Sequence, residues 1–170
     1  INFKVSKNQI PKIIHAPTRK GIKGTALILP VIEKLKSEGF KFNFKLLQDK
    51  TNEQILKELE DADIAIDQIY LPGPGTFCIE AMASGCAVAT YVMHPASGII
   101  NPPVCNIEEN NIYEQLKYLL TNEEYRLKLI YEGRKYVEDY HNPSKITTKI
   151  LDQLSALVPK YDYKPDFFLN

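Results

Sequence analysis

The apolar positions of this chain change period repeatedly, and each change marks an element. Lys12 to Ala16 is a short apolar run stopped by Pro17, which reads as a buried central strand. Ile28, Val31, Ile32 and Leu35 then recur at helical spacing, predicting a helix from Thr25 to Gly39 with the glycine as its stop. Pro30 conflicts locally, since proline removes a backbone donor and is expected to kink that helix. Phe42, Phe44 and Leu46 alternate with Asn43 and Lys45, the period of a half-buried strand. Ile55, Leu56 and Leu59 return to helical spacing between Asn52 and Glu60. Ile64-Ala65-Ile66 is a short buried strand; a glycine-rich turn and a helix carrying Glu80 follow it. Ala87 to Val92 reads as a further strand.

The last third is helical. Ile112, Leu116, Leu119 and Leu120 form one apolar stripe, and Glu123 to Asp139 forms a second helix. Asn142-Pro143 reads as an N-cap with proline at the first helical position, opening a helix through Ile146, Ile150, Leu151 and Leu154. Pro159 ends the pattern. Strands alternating with helices in this way predict an α/β fold: a Rossmann-like doubly wound parallel sheet with helices on both faces and a C-terminal helical extension. Residues 1–158 are expected to form the domain, and residues 159–170 an extended aromatic tail, Tyr161 to Phe168, over apolar surface.

Composition narrows the partners. The 170 residues fit one domain with a real core. Lys plus Arg and Asp plus Glu both number 21, so no global field favours nucleic acid, and any phosphate affinity must be local. Three cysteines, Cys78, Cys86 and Cys105, show no ligand spacing and are expected as reduced thiols in a cytosolic protein. No run of about eighteen apolar residues and no signal peptide is visible. The sequence opens at Ile1 without a methionine, consistent with a piece of a longer protein.

Two loops carry candidate chemistry. Gly73-Pro74-Gly75-Thr76-Phe77 leads into a helix with Glu80 on its second turn and Gly85 at its end. Open N–H groups and the positive end of a helix dipole attract phosphate, glycines let an anion approach the main chain, and Glu80 can accept from sugar hydroxyls. The second loop, Pro17 to Gly24, holds Arg19, Lys20 and Lys23. Both loops directly follow predicted strands, so both are expected on the carboxyl rim of the sheet, where such folds bind ligands. Asp61-Ala62-Asp63 precedes its strand and belongs on the opposite rim, as a polar helix end, so no metal site is expected. Asp67 lies at the ligand rim, as a ligand contact or a turn-ordering carboxylate. His15 is expected as a packed strand-end histidine. His94 follows the Ala87–Val92 strand and is a candidate cleft residue.

The run Glu80-Ala81-Met82-Ala83-Ser84-Gly85, preceded by a strand and a glycine turn, resembles the nucleotide-sugar site of glycosyltransferase family 4. That site lies in the C-terminal domain of the two-domain GT-B fold. His15 to Thr25 and Glu132 to His141 resemble the family as well, and the similarity runs from about Ile10 to Leu154. The resemblance implies that Arg19 and Lys23 neutralise the donor diphosphate and assist its departure. Gly73, Gly75, Thr76 and Phe77 then line the donor, and Glu80 accepts from the ribose. It implies a UDP- or GDP-sugar as substrate, no cofactor, retention of configuration without metal, and a glycan or lipid-linked acceptor held by an N-terminal domain. Bacterial surface glycan assembly, in the cytoplasm with peripheral contact at the inner membrane face, follows by the same analogy.

One position departs from the pattern. The family's better-known motif has a second glutamate eight positions before Glu80, and this chain has Pro72 there. A non-catalytic, degenerate module that binds a nucleotide or a protein is therefore the alternative. A different GT-B enzyme, such as a nucleotide-sugar epimerase, finds no acid/base constellation in the sequence.

Overall fold

The computed structural model describes residues 3, 5, 8–93 and 101–157. Five parallel strands form one sheet: β1 (Lys12–His15), β2 (Asn43–Leu46), β3 (Ile64–Ile66), β4 (Ala87–Thr90) and β5 (Cys105–Asn106), in the order β2-β1-β3-β4-β5. Register places Ile13 beside Ile64 and Phe44, and Ile66 beside Ala89.

Alternation along the strands divides the core in two. Ile13, Ile64, Ile66, Ala87 and Ala89 face one side, where α2 (Thr25–Ser37) and α5 (Ile112–Thr121) cover them with Ile28, Ile32, Leu35, Leu116 and Leu119. Ile14, Ala65 and Val88 face the other side, under α3 (Asn52–Leu59) and α4 (Thr76–Ser84), with Leu59, Phe77, Ala81 and Met82. The central strands β1, β3 and β4 are buried on both faces because the crossovers return over the sheet, which explains their short, unbroken apolar runs, whereas β2 at the edge alternates exposed Asn43 and Lys45 with half-buried Phe44 and Leu46. The long helix α6 (Glu123–Tyr140) contributes Leu129 and Ile130 to the first cluster and Tyr136 and Val137 to the second. Against α4 it packs through Gly133, where a Cβ would stand 3.1 Å from Met82 Cγ.

The predicted doubly wound sheet is present, and so are its helical boundaries in the main. Gly39 (φ +88) and Gly85 (φ +82) end α2 and α4 as left-handed residues. In each case the glycine N–H and the next one close back on the last turn: Gly39 to Lys36 and Phe40 to Leu35, then Gly85 to Met82 and Cys86 to Ala81. Pro30 does not interrupt α2. It lies on the exposed side of the helix, and burial of Ile28, Ile32 and Leu35 outweighs the lost backbone bond. α7 (Pro143–Leu157) follows the Asn142 cap, whose side-chain oxygen accepts from the Ser144 and Lys145 N–H groups. The aromatic tail and His94 lie outside the described residues.

Candidate nucleotide-sugar site

Strand order reverses between β1 and β3. The chain leaving β1 passes to the α2 face, and the chain leaving β3 passes to the α4 face, so a crevice opens above these two strand ends. The loop after β1 is not wholly irregular. Arg19 starts a single helical turn, α1 (Lys20–Lys23), and Gly24 (φ +72) joins it to α2. Gly24 is compelled twice: the left-handed backbone suits glycine, and a Cβ there would meet Ile69 Cδ1 at 2.9 Å. Close packing against Ile69 joins the two rim loops, and Tyr70 N–H donates to the Ile22 carbonyl at 3.4 Å.

At the bottom of the crevice Lys23 Nζ is held by the Asp67 carboxylate and by Gln68 Oε1 at 3.2 Å. The Asp67 side chain is fully buried, and among the described residues its second oxygen, Oδ2, has no hydrogen-bond partner. Directly above lies Gly75, the residue before α4. A Cβ at Gly75 would stand 3.1 Å from Asp67 Oδ2 and 3.7 Å from Lys23 Nζ, so glycine lets the helix start sit on the ion pair. Among the described residues no side chain caps α4, and its first turn holds no acidic residue, which leaves its N–H groups open to an anion.

One turn further, Glu80 Oε1 accepts from Asn52 Nδ2 at 2.8 Å. Lys23, Thr76, Phe77 and Glu80 line a cavity of about 400 Å³ whose other wall is Ala16, Thr18, Lys50, Asn52 and Ile55. A second hollow of about 220 Å³ adjoins it, sharing Ala16, Thr18, Lys50 and Ile55 and adding Leu47 and Asp49. The structure therefore brings four of the candidate residues into one cavity and sets Gly75 against its floor. Arg19 is exposed at the start of α1, and Gly73 (φ +97) lies on the outer turn; neither lines the cavity.

Lys50, Asn52, Ile55 and Gln68 were not among the residues expected to bind the ligand. The rule that ligands meet the carboxyl ends of strands, applied also to the loop after β2, points to the first three. His15 is fully buried. Its Nδ1 donates to the Ile66 carbonyl, so Nε2 accepts from the Thr25 hydroxyl, each at 2.9 Å. Burial, aided by the Lys23 charge, lowers its pKa to about 4 and keeps it neutral. Burial also pushes the Cys78 thiol up, so it packs rather than reacts. Asp63 accepts from Lys12 N–H and Asn8 Nδ2, and Asp61 pairs with Lys12, at the opposite rim as expected.

Known structures share this architecture. A point mutant of S. aureus TarM, solved with Fondaparinux, alpha-GlcNAc-glycerol and UDP, is 18% identical with a TM-score of 0.65, over 89% of this chain and 38% of that one. Sucrose-phosphate synthase from Thermosynechococcus elongatus gives 16% and 0.63, over 88% of this chain and 47% of that one. The C-terminal domain of LpcC, a glycosyl transferase group 1 protein of Francisella tularensis, gives 19% and 0.57; the match covers 79% of this chain and 89% of that domain. The fold is that of a GT-B C-terminal domain. No protein-family model and no curated protein matches the chain. The chain spans less than half the length of TarM and of the sucrose-phosphate synthase. Among the described residues, no helix is long and apolar enough to cross a membrane.

Proposed function

We propose that this chain is the donor-binding half of a glycosyltransferase that transfers a sugar from a UDP- or GDP-sugar to a glycan or lipid-linked acceptor. The observation that carries the reading is the convergence of Lys23, the open N-terminus of α4 and Glu80 on one cavity at the β1/β3 switch point. The diphosphate sits at the start of α4, where backbone N–H groups and the remaining N–H of Lys23 meet its oxygens. Glu80, with Asn52 fixing one of its oxygens, accepts from the ribose hydroxyls. The adjoining hollow between Leu47 and Ile55 receives the base.

Departure of a nucleoside diphosphate leaves negative charge on the bridging oxygen. Donors fixed before the reaction stabilise that charge without reorganisation, which is the contribution this half makes. Retention of configuration, independence of metal, the acceptor and the N-terminal acceptor domain follow the family resemblance, as does a peripheral place at the inner membrane face. A non-catalytic nucleotide-binding module is the second reading, motivated by Pro72 and by the Asp67 charge that balances Lys23. Stabilisation by ligand separates the readings. A donor site raises the melting temperature with one nucleotide and further with one of its sugar conjugates; a degenerate module responds to the nucleotide alone.

A further inference from the structure

Gln68 occupies a position that nothing above assigns a role. Its side chain is buried, with 4% of the residue exposed, yet every polar atom is used. Oε1 accepts from Lys23 Nζ at 3.2 Å, while Nε2 donates to the Leu71 carbonyl at 3.0 Å and the Gly73 carbonyl at 2.9 Å. The main chain of Gln68 is pinned in turn: its carbonyl accepts from Tyr91 N–H at 2.8 Å and from the Thr90 hydroxyl at 3.2 Å. One amide thus ties the lysine of the first rim loop to the glycine turn of the second.

The two carbonyls are a telling choice. Leu71 and Gly73 each precede a proline, so the peptide groups at Pro72 and Pro74 have an acceptor and no donor. Gly73 N–H is already given to the Tyr91 carbonyl at 3.1 Å. A turn so poor in donors would confront an anion with carbonyl oxygens, which repel it. Gln68 draws both oxygens toward a buried amide and leaves the first turn of α4 as the face presented to the ligand.

We infer that Gln68 is a positioning residue for the donor diphosphate: it locks Lys23 and the 71–75 turn into one anion-accepting arrangement before the ligand arrives. The inference rests on the donor-site reading above. It concerns the diphosphate alone, since Glu80 and Asn52, assigned to the nucleoside, pair with each other from α4 and α3, whereas the Gln68 side chain bonds to Lys23, Leu71 and Gly73.

The test compares UDP and GDP with uridine and guanosine on the wild-type chain and on two variants. Gln68→Met keeps the volume and removes all three bonds. Gln68→Glu keeps a partner for Lys23 and loses both donors to the turn. Both variants are expected to bind the preferred diphosphate about tenfold or more weakly, as befits loss of buried hydrogen bonds, with nucleoside affinity unchanged. Wild-type Gln68→Glu affinity for the diphosphate, or equal losses for diphosphate and nucleoside, overturns the positioning role. In the unmodified chain, the Gln68 side-chain amide resonances are expected to shift with diphosphate and not with nucleoside. Unmoved resonances at saturating diphosphate overturn the inference whatever the variants do. Absence of any nucleotide binding by the wild type is a separate result, which removes the donor-site reading itself.

Discussion

Substituting Lys23 by methionine tests the electrostatic floor of the site. The Asp67 side chain has no solvent exposure and that of Lys23 only 12%, so solvent screens the pair little. Among the described residues Asp67 Oδ2 already lacks a partner, and losing Lys23 leaves the whole carboxylate without a hydrogen bond from any of them. Removing one member of a buried pair costs about 3–5 kcal/mol. With a urea slope of about 2 kcal/mol/M, the unfolding midpoint falls by roughly 1.5–2.5 M. The reverse change, Asp67→Leu, is milder, about 1–2 kcal/mol, because the flexible ammonium keeps Gln68 and can turn toward water in the cavity. Combining Lys23→Met with Asp67→Leu removes both charges and recovers most of the loss, as replacing buried pairs by apolar residues often does. Urea unfolding of the four proteins measures the cycle. A Lys23→Met midpoint within about 0.3 M of wild type, or a double variant no better than Lys23→Met, refutes the buried pair.

His15 makes stability depend on pH. Its folded pKa, near 4, lies below the ordinary value of 6.5, so the unfolded chain binds the proton more readily. The stability it contributes is complete above pH 6.5 and is lost as pH falls toward 4, by about 3 kcal/mol in all; unfolding of His15→Gln across that range should show a flatter profile than wild type. Gly24→Ala forces a left-handed alanine against Ile69 and should lower stability by about 2 kcal/mol or more, read by thermal melting. Gly133→Ala sets the helix propensity gained by alanine, about 1 kcal/mol, against a Cβ 3.1 Å from Met82 Cγ at the α4–α6 crossing; with Met82 fully buried, a small net loss is expected in the same assay.

The architecture was legible because local and global signals agreed. Short apolar runs at β1, β3 and β4 could only be strands buried on both faces, and Gly39 and Gly85 stood where helices must end. The shared rim of the two candidate loops followed from each loop directly succeeding a strand of a parallel sheet. Pro30 sits inside α2 because the fully buried Ile28, Ile32 and Leu35 hold the helix together around it, a tertiary contribution that local backbone preference does not carry. β5 has two residues and the basic loop hides one helical turn containing Gly21, each too short to show a period. The site was legible in part: Lys23, Thr76, Phe77 and Glu80 share the cavity, whereas Arg19 and Gly73 lie outside its lining. What no local pattern encodes is the meeting of Lys23 with Asp67, Gln68 and Gly75 across the switch point. Those contacts join residues more than forty positions apart and depend on β1 lying beside β3.

The central claim is that one cavity binds a nucleoside diphosphate through Lys23, the start of α4 and Glu80. Calorimetric titration of the chain with UDP and GDP tests it most directly, with Glu80→Ala and Lys23→Ala alongside. The account predicts saturable binding of one of the two, weakened about tenfold or more by each substitution. A folded wild-type chain that binds neither nucleotide, or binds one with both variants unaffected, contradicts it.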